Sequence, residues 1–417
     1  MKFVSARVWF FLMCGLLANA CSHHSQNSGV EKKSLSFLSH EQELASIESR
    51  LQNEKRNTDL SRLRSAKLFV ARSKLTKSLG DLVRAKNILD DLLLPKRSLD
   101  STLNQRPYVV RAQLFYHIHQ FQKSKEDLLA ARAQGGPPDG EHAILLLEFD
   151  NALNRDDFVE AEEILHDLLS TKQGFEEYSR KAQWEFRKGQ TEKSLKTLAE
   201  SRSHVTVGEE RIYAWHYYMQ GLMHLENEEW MEALKNFEKA NQDYPGYWLF
   251  EEHLAETLSQ LGRLEEAEEI YKGVILKTQA SEFYFAMAAT LNKKYSAKND
   301  PAVLQSVQSF VNLGIEKLEE ELKILPEAVS AHAMEALLDF AHPRFPAERV
   351  LAMAKQNLKM RPNGESKILY SKVLRHQGKT EESKKIFCEI LRTSYRAPQV
   401  LLLLKKWQLS SQDCAKK

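Results

Sequence analysis

A spacing that repeats is what most constrains this chain. Between residues 214 and 247, Tyr217 stands four residues before Gly221 and Trp230 opens a second segment. Ala233, Phe237 and Ala240 follow at steps of four and three, and Pro245 closes the unit. The pattern restarts 34 residues on, at Trp248, with Leu254-Ala255, a turn glycine at Gly262, and then Ala267 and Tyr271. Steps of three and four place residues on one face of a helix, so each unit reads as two helices. The small residues let the two helices approach closely, the large ones fill the gap to the next pair, and a proline stops the second helix. One such pair cannot bury its own apolar face, so copies at this period must stack.

The frame extends beyond these two copies. The small residue of the second helix recurs at Ala85, Ser124, Ala161, Ser194, Ala233, Ala267, Gly314, Val350 and Ser383, at steps of 39, 37, 33, 39, 34, 47, 36 and 33. A large apolar residue follows four later at Leu89, Leu128, Leu165, Leu198, Phe237, Tyr271, Leu318 and Phe387, with Ala354 in the eighth copy. Glycines precede several markers, at Gly80, Gly189, Gly262 and Gly378, and Pro95, Pro326 and Pro362 close three more units. The step of 47 predicts a long inter-helix loop over Lys293 to Pro301, and Gly135 to Gly140 reads as a stiff turn between units.

This pattern resembles the tetratricopeptide repeat family over most of residues 60 to 395. The resemblance implies an all-α fold: a right-handed superhelical solenoid of antiparallel helix pairs, about nine units long, spanning residues 58–395. Leu35, Leu38, Leu44, Ile47 and Leu51 predict an amphipathic helix ahead of the array, over 35–57. Val400 to Leu404 and Trp407 predict a capping helix within 396–417. Exposed array ends need such caps. Sixteen glycines and 11 prolines in 417 residues are too few for the many tight turns of an all-β chain.

The first twenty residues read as an export signal. Lys2 and Arg7 precede an apolar run from Val8 to Leu17 that falls short of the roughly 20 residues a membrane-spanning helix needs. Two endings compete. Ala18-Asn19-Ala20 fits a small-residue cleavage site, and Leu17 to Cys21 resembles a lipobox, which implies lipidation of Cys21 and anchoring to a bacterial outer membrane. The polar stretch from Ser22 to Gly29, within a tether of 21–34, favours the second reading. Beyond residue 20 the 59 basic and 57 acidic side chains reduce to 57 of each, and this balance gives no basic footprint for nucleic acid. Cys388 and Cys414 could pair in an oxidising periplasm, and the reading preferred is two unpaired thiols.

No nucleophile elbow, paired-histidine zinc motif, phosphate loop or dinucleotide fingerprint occurs. The acidic runs around Glu265 and Glu319 read as solvated helix faces. The chain is therefore read as no enzyme, with no catalytic residue, cofactor, metal or small-molecule substrate assigned. In the tetratricopeptide frame, positions 2, 5, 9, 12 and 13 of each unit line the concave groove. That projection yields Tyr116, Leu146, Phe186, Trp215, Tyr218, Leu222, Leu225, Leu249 and Phe283 as candidate partner-binding residues. Position 9 holds Gln113, Asp150, Gln183, Leu222, Glu256, Thr290 and Lys372, which lacks the family's carboxylate clamp. An apolar helix or extended segment of an envelope protein is the expected partner, with a surface-exposed structural or adhesive role as the alternative.

Overall fold

The computed structural model describes residues 39–54, 57–94, 103, 105–136, 138–205, 210–329, 331–410 and 414. The signal segment, Cys21, the tether, Leu35, Leu38 and Pro95 lie outside the described residues. Among the described residues the chain forms twenty α-helices and no strand beyond a single bridge between His342 and Phe345. Helix α1 (His40–Asn53) precedes nine successive pairs. These are α2 (Asp59–Thr76) with α3 (Leu79–Leu92), α4 (Arg106–His117) with α5 (Phe121–Gln134), and α6 (Pro138–Asn154) with α7 (Phe158–Thr171). Next come α8 (Phe175–Arg187) with α9 (Thr191–Arg202), α10 (Glu210–Glu226) with α11 (Trp230–Asp243), and α12 (Trp248–Gln260) with α13 (Leu264–Thr278). The last three are α14 (Ser281–Lys298) with α15 (Pro301–Ile324), α16 (Ala331–Asp339) with α17 (Ala347–Met360), and α18 (Gly364–His376) with α19 (Thr380–Leu391). Helix α20 (Pro398–Trp407) follows, with Val400 and Leu403 buried and Trp407 edge-on to Phe387.

One turn joins the two helices of most pairs. His119, Asp156, Gly189, Glu228, Gly262 and Gly378 all have φ between 59° and 80°. Each lies five residues before its marker, Ser124, Ala161, Ser194, Ala233, Ala267 or Ser383. The next N–H then reaches back five residues, as in Gln190 to Glu185 O (2.9 Å), Arg263 to Leu258 O (3.0 Å) and Lys379 to Leu374 O (3.0 Å). A left-handed residue at this point satisfies carbonyls that the ending helix leaves open.

The markers meet the first helix at closest approach. Ser124 Oγ donates to Ala112 O (2.7 Å), Ser194 Oγ to Ala182 O (2.6 Å) and Ser383 Oγ to Ser371 O (2.7 Å), in each case twelve residues back. Alanines at 161, 233 and 267 make the same approach without the bond and are fully buried. Opposite Ala233, twelve residues back, stands Gly221, where an added Cβ would lie 2.6 Å from a Phe237 ring carbon. Full burial of large side chains such as Phe237 contributes about 2–3 kcal/mol each.

The first helices form the inside of the superhelix. Nine of the 13 residues of α12 are buried against four of the 15 in α13. Successive turns of the superhelix touch. Lys77 pairs with Glu282, Asn363 Nδ2 donates to Asn154 O (2.8 Å), and the Gly364 N–H donates to Asp156, at sequence separations of 205, 209 and 208. One superhelical turn therefore takes about six pairs of roughly 34 residues. Trp248 Nε1 donates to Lys74 O (3.0 Å), Arg396 N to Arg187 O (2.7 Å), and Arg187 pairs with Glu365 at 2.8 Å.

Three expectations need correction. The residues expected to form a long loop are mostly helical: α14 runs to Lys298, Asn299 takes a left-handed cap, Asp300 caps α15 and Pro301 opens it. The extra length of that unit lies in helices of 18 and 24 residues. The turn after α5 is shorter than Gly135 to Gly140, because α6 starts at Pro138. Cys388 and Cys414, read as unpaired, are joined in a disulfide with Cα atoms 5.1 Å apart. Chain packing after α20 brings Cys414 back to α19, which a sequence separation of 26 does not reveal.

Candidate partner-binding cleft

Tyr116, Phe186, Trp215, Tyr218, Leu222, Leu249 and Phe283, expected to line an open groove, are between 0 and 8% exposed, and Leu146 and Leu225 are buried too. Tyr218 packs among Trp215, Phe250 and His253 with ring centroids at 5.1, 4.9 and 5.3 Å. Tyr116 Oη accepts from Asn154 Nδ2 at 3.0 Å. These side chains fill the space between neighbouring first helices and touching superhelical turns, so they are core. The repeat-defining residues fare differently. Gly221, Ala233, Phe237, Ala267 and Tyr271 sit at helix–helix contacts, Gly262 and Gly378 in the left-handed turns, and Pro245 in the turn after α11.

Of the expected groove residues, Phe283 borders open space. A cleft of about 800 Å³, mouth included, lies between α12, α14 and α16. Glu252, Glu256, Ser259 and Gln260 come from α12, and Phe283, Ala286, Thr290 and Lys293 from α14. These are positions 5, 9, 12 and 13 of one unit and 2, 5, 9 and 12 of the next. The cleft thus falls on frame positions whose polar members a search restricted to apolar residues passed over. Glu335, Asp339 and Phe340, from α16 and just after it, close the other side. That helix follows an irregular 3-10 turn, Pro326–Ala328, and pairs with α17, whose marker Val350 puts Glu335 and Asp339 at positions 5 and 9 of the eighth unit.

The cleft is apolar on its floor and acidic around it. Tyr271, Phe283 and Phe285 are buried along it, while Glu252, Glu256, Glu282, Glu335 and Asp339 contribute carboxylates. Lys293 is the cation among the lining residues, and its Nζ donates to Ser259 O (3.0 Å), Ser259 Oγ (3.2 Å) and Gln260 Oε1 (3.1 Å). Glu282 pairs with Lys77, and Glu335 Oε1 accepts from Lys372 Nζ at 2.8 Å. Burial opposes a charge on His253, but Glu252 at 2.5 Å and Glu256 raise its imidazole to about 9. Burial and the neighbouring Glu335 push the Asp339 carboxyl up to about 6.

Among the described residues two groups have the donors for a metal ion: Glu252 with His253 and Glu256, and His142 with Glu176 and Glu177. In the first, the imidazole is held protonated beside carboxylates, which disfavours it as a lone-pair donor. A second cavity lies between α5, α6 and α7. Its charges neutralise one another through Lys125–Glu160 and Arg132–Glu148, at 2.7 Å each. No described helix is long and apolar enough to cross a membrane.

Stacked helix pairs with an open cleft on the first-helix face define a helical-repeat solenoid, a class that supports protein–protein interaction. The tetratricopeptide repeat profile matches residues 224–291, the stretch that holds Trp230, Ala233, Phe237, Gly262, Ala267 and Tyr271. No curated protein sequence matches the chain. Among solved structures it is similar to a Rap protein complexed with Competence and Sporulation Factor, at 14% identity and a TM-score of 0.50, over 82% of this chain and 92% of that one. Yeast Tom70 (13% identity, TM-score 0.44, 88% and 85% covered) and a human IFIT1 dimer with PPP-AAAA (15%, 0.44, 84% and 77%) are also similar. At such identities the likeness concerns the fold alone.

Proposed function

We propose that this chain is a non-catalytic scaffold of the bacterial cell envelope, exported and anchored through a lipidated Cys21, that holds a segment of a partner protein in the cleft between α12, α14 and α16. The observation that carries the docking part is the cleft itself: an apolar floor left open on the first-helix face, between helices that are otherwise buried. Such open apolar space rimmed by polar side chains suits an extended or helical peptide segment. The Rap structure, whose fold is similar, holds Competence and Sporulation Factor. The anchoring part rests on residues 8–29 of the sequence alone.

The test is site-specific photo-crosslinking in cells that make the protein, with the crosslinker at Ala289 in the cleft and, as control, at exposed Lys235 on α11. A protein trapped from Ala289 and not from Lys235, whose binding to the purified chain is lost in Ala289→Trp, supports the scaffold. Equal trapping at both sites, or binding indifferent to Ala289→Trp, removes the cleft as the docking site. Cys21→Ser followed by membrane fractionation tests the anchor: a chain that stays membrane-bound contradicts it.

A further inference from the structure

The cleft's charge selects among peptide segments. Glu335 on α16 has a side chain only 6% exposed. One of its oxygens accepts from Lys372, while the other, Oε2, is buried and has no hydrogen-bond partner. A buried carboxylate oxygen left unpaired is unfavourable. Asp339 stands one helical turn further, on the same face and at the rim. Among the described residues its carboxylate makes no hydrogen bond or ion pair.

The remaining lining acids do not relieve this. Glu252 engages His253, and Glu282 engages Lys77. Lys293, the cation in the wall, is directed to Ser259 and Gln260 on α12. Phe283, Phe285 and Phe340 supply aromatic surface beside the carboxylates. A neutral apolar segment seated here would cover Asp339 without replacing its water and would leave Glu335 Oε2 unpaired, and an acidic one would meet five carboxylates. A flexible cationic side chain satisfies both oxygens and gains from the ring faces.

We propose that the partner segment seated in the cleft inserts a lysine or arginine side chain between Glu335 and Asp339. This deepens the docking reading above and rests on it, and it replaces the wholly apolar segment expected from the sequence. The raised carboxyl of Asp339 agrees with it: burial is the larger cause, His376, Lys372 and Lys406 offset it only in part, and the like charge of Glu335 is the contribution a bound cation would counter.

Phage-displayed random dodecapeptides selected on the purified chain, followed by synthesis of the enriched peptides, provide the test. Cleft-dependent peptides are those whose binding is lost in Ala289→Trp. The expected result is that these carry a lysine or arginine whose replacement by norleucine weakens binding about tenfold or more. Asp339→Asn, at the exposed rim, is expected to weaken the same peptides several-fold with unchanged melting temperature, and Glu335→Gln more strongly. Binding should also fall as salt rises. Cleft-dependent peptides without a required cation, or with affinity indifferent to Asp339→Asn, overturn this inference and leave the docking site intact. A selection that yields no peptide sensitive to Ala289→Trp overturns the docking reading itself.

Discussion

Substituting Gly221 by alanine ought to stabilise an ordinary helix by about 1 kcal/mol, because glycine is the poorest non-proline helix former. In this chain the opposite is expected. The added methyl would lie 2.6, 2.7 and 3.0 Å from three ring carbons of Phe237, where contact distance is roughly 3.5–4.0 Å. The ring has nowhere to move, since Phe237 is fully buried with Tyr218 and His253 beside it at 5.9 and 5.6 Å. Overpacking of this kind costs about 1–3 kcal/mol, and more where backbone must shift. With the helix gain set against it, Gly221→Ala should lower stability by about 1–2 kcal/mol. Phe237→Leu alone should cost about 1–2 kcal/mol by leaving space. Because the slimmer side chain admits the new methyl, the double variant should be less destabilised than the two losses combined, with a coupling of about 1 kcal/mol or more. Urea unfolding followed by far-UV circular dichroism on the four proteins measures this cycle. A Gly221→Ala variant more stable than the parent, or strictly additive losses, would show that this close approach does not set the spacing of α10 and α11.

Gly262→Ala meets no atom within 4 Å, so its cost is conformational alone. A left-handed alanine loses about 1–2 kcal/mol, and a midpoint equal to the parent's would refute the turn assignment. Arg187 is 1% exposed between Glu365 and Asp156, so Arg187→Met should destabilise by about 3–5 kcal/mol through stranded carboxylates, read by thermal unfolding. Burial pushes the Asp156 carboxyl up to about 6 despite Arg187 and the Gly364 N–H. Its folded value thus lies above the unfolded one near 3.9, so the wild type should lose stability relative to Asp156→Asn as pH rises from about 4 to 6, and a difference that grows over that range would reverse the sign. Cys388→Ser opens a loop of 26 residues, and about 3 kcal/mol should be lost in oxidised but not in reduced protein.

The helix-pair frame was legible because it is written in local contacts. A small residue at each close approach, a large one four later and a turn residue five before are all dictated within one pair, and Ser194, Leu198 and Gly189 display them together. Even so, half the turns hide their conformation: Asp156 and Glu228 take the same left-handed φ as Gly262 without a glycine to announce it. Burial of the expected groove was not legible. The 34-residue period says how a pair packs on its neighbour and nothing about whether the sixth pair on returns to touch it. That contact is what turns concave-face positions such as Trp215 and Leu249 into interior ones. Asp300-Pro301 carries the local signature of a helix start, but the 47-residue step led to a loop reading because the frame assumes helices of standard length. Glu335 and Asp339 stand at groove positions 5 and 9 of the eighth pair, but as acids they escaped a search for apolar groove residues, and only the three-dimensional arrangement sets them against α12 and α14.

The regular offset of 205 to 209 residues between contacting turns bears on how this molecule comes apart. An open array melts like a one-dimensional chain: each unit knows only its two neighbours, ends fray first, and shortening the array by a unit leaves the rest much as it was. A coil whose turns are bonded to each other is a two-dimensional lattice rolled into a cylinder. Each pair then has neighbours along the chain and across the seam. Fraying from the C-terminal end would strip α18 from α6 and α8 at the same time, leaving Asn154, Asp156 and Arg187 exposed in the middle of the array. Melting should consequently be more concerted than the repeat count suggests, and a truncation that removes the last pairs should weaken the centre rather than just the tip.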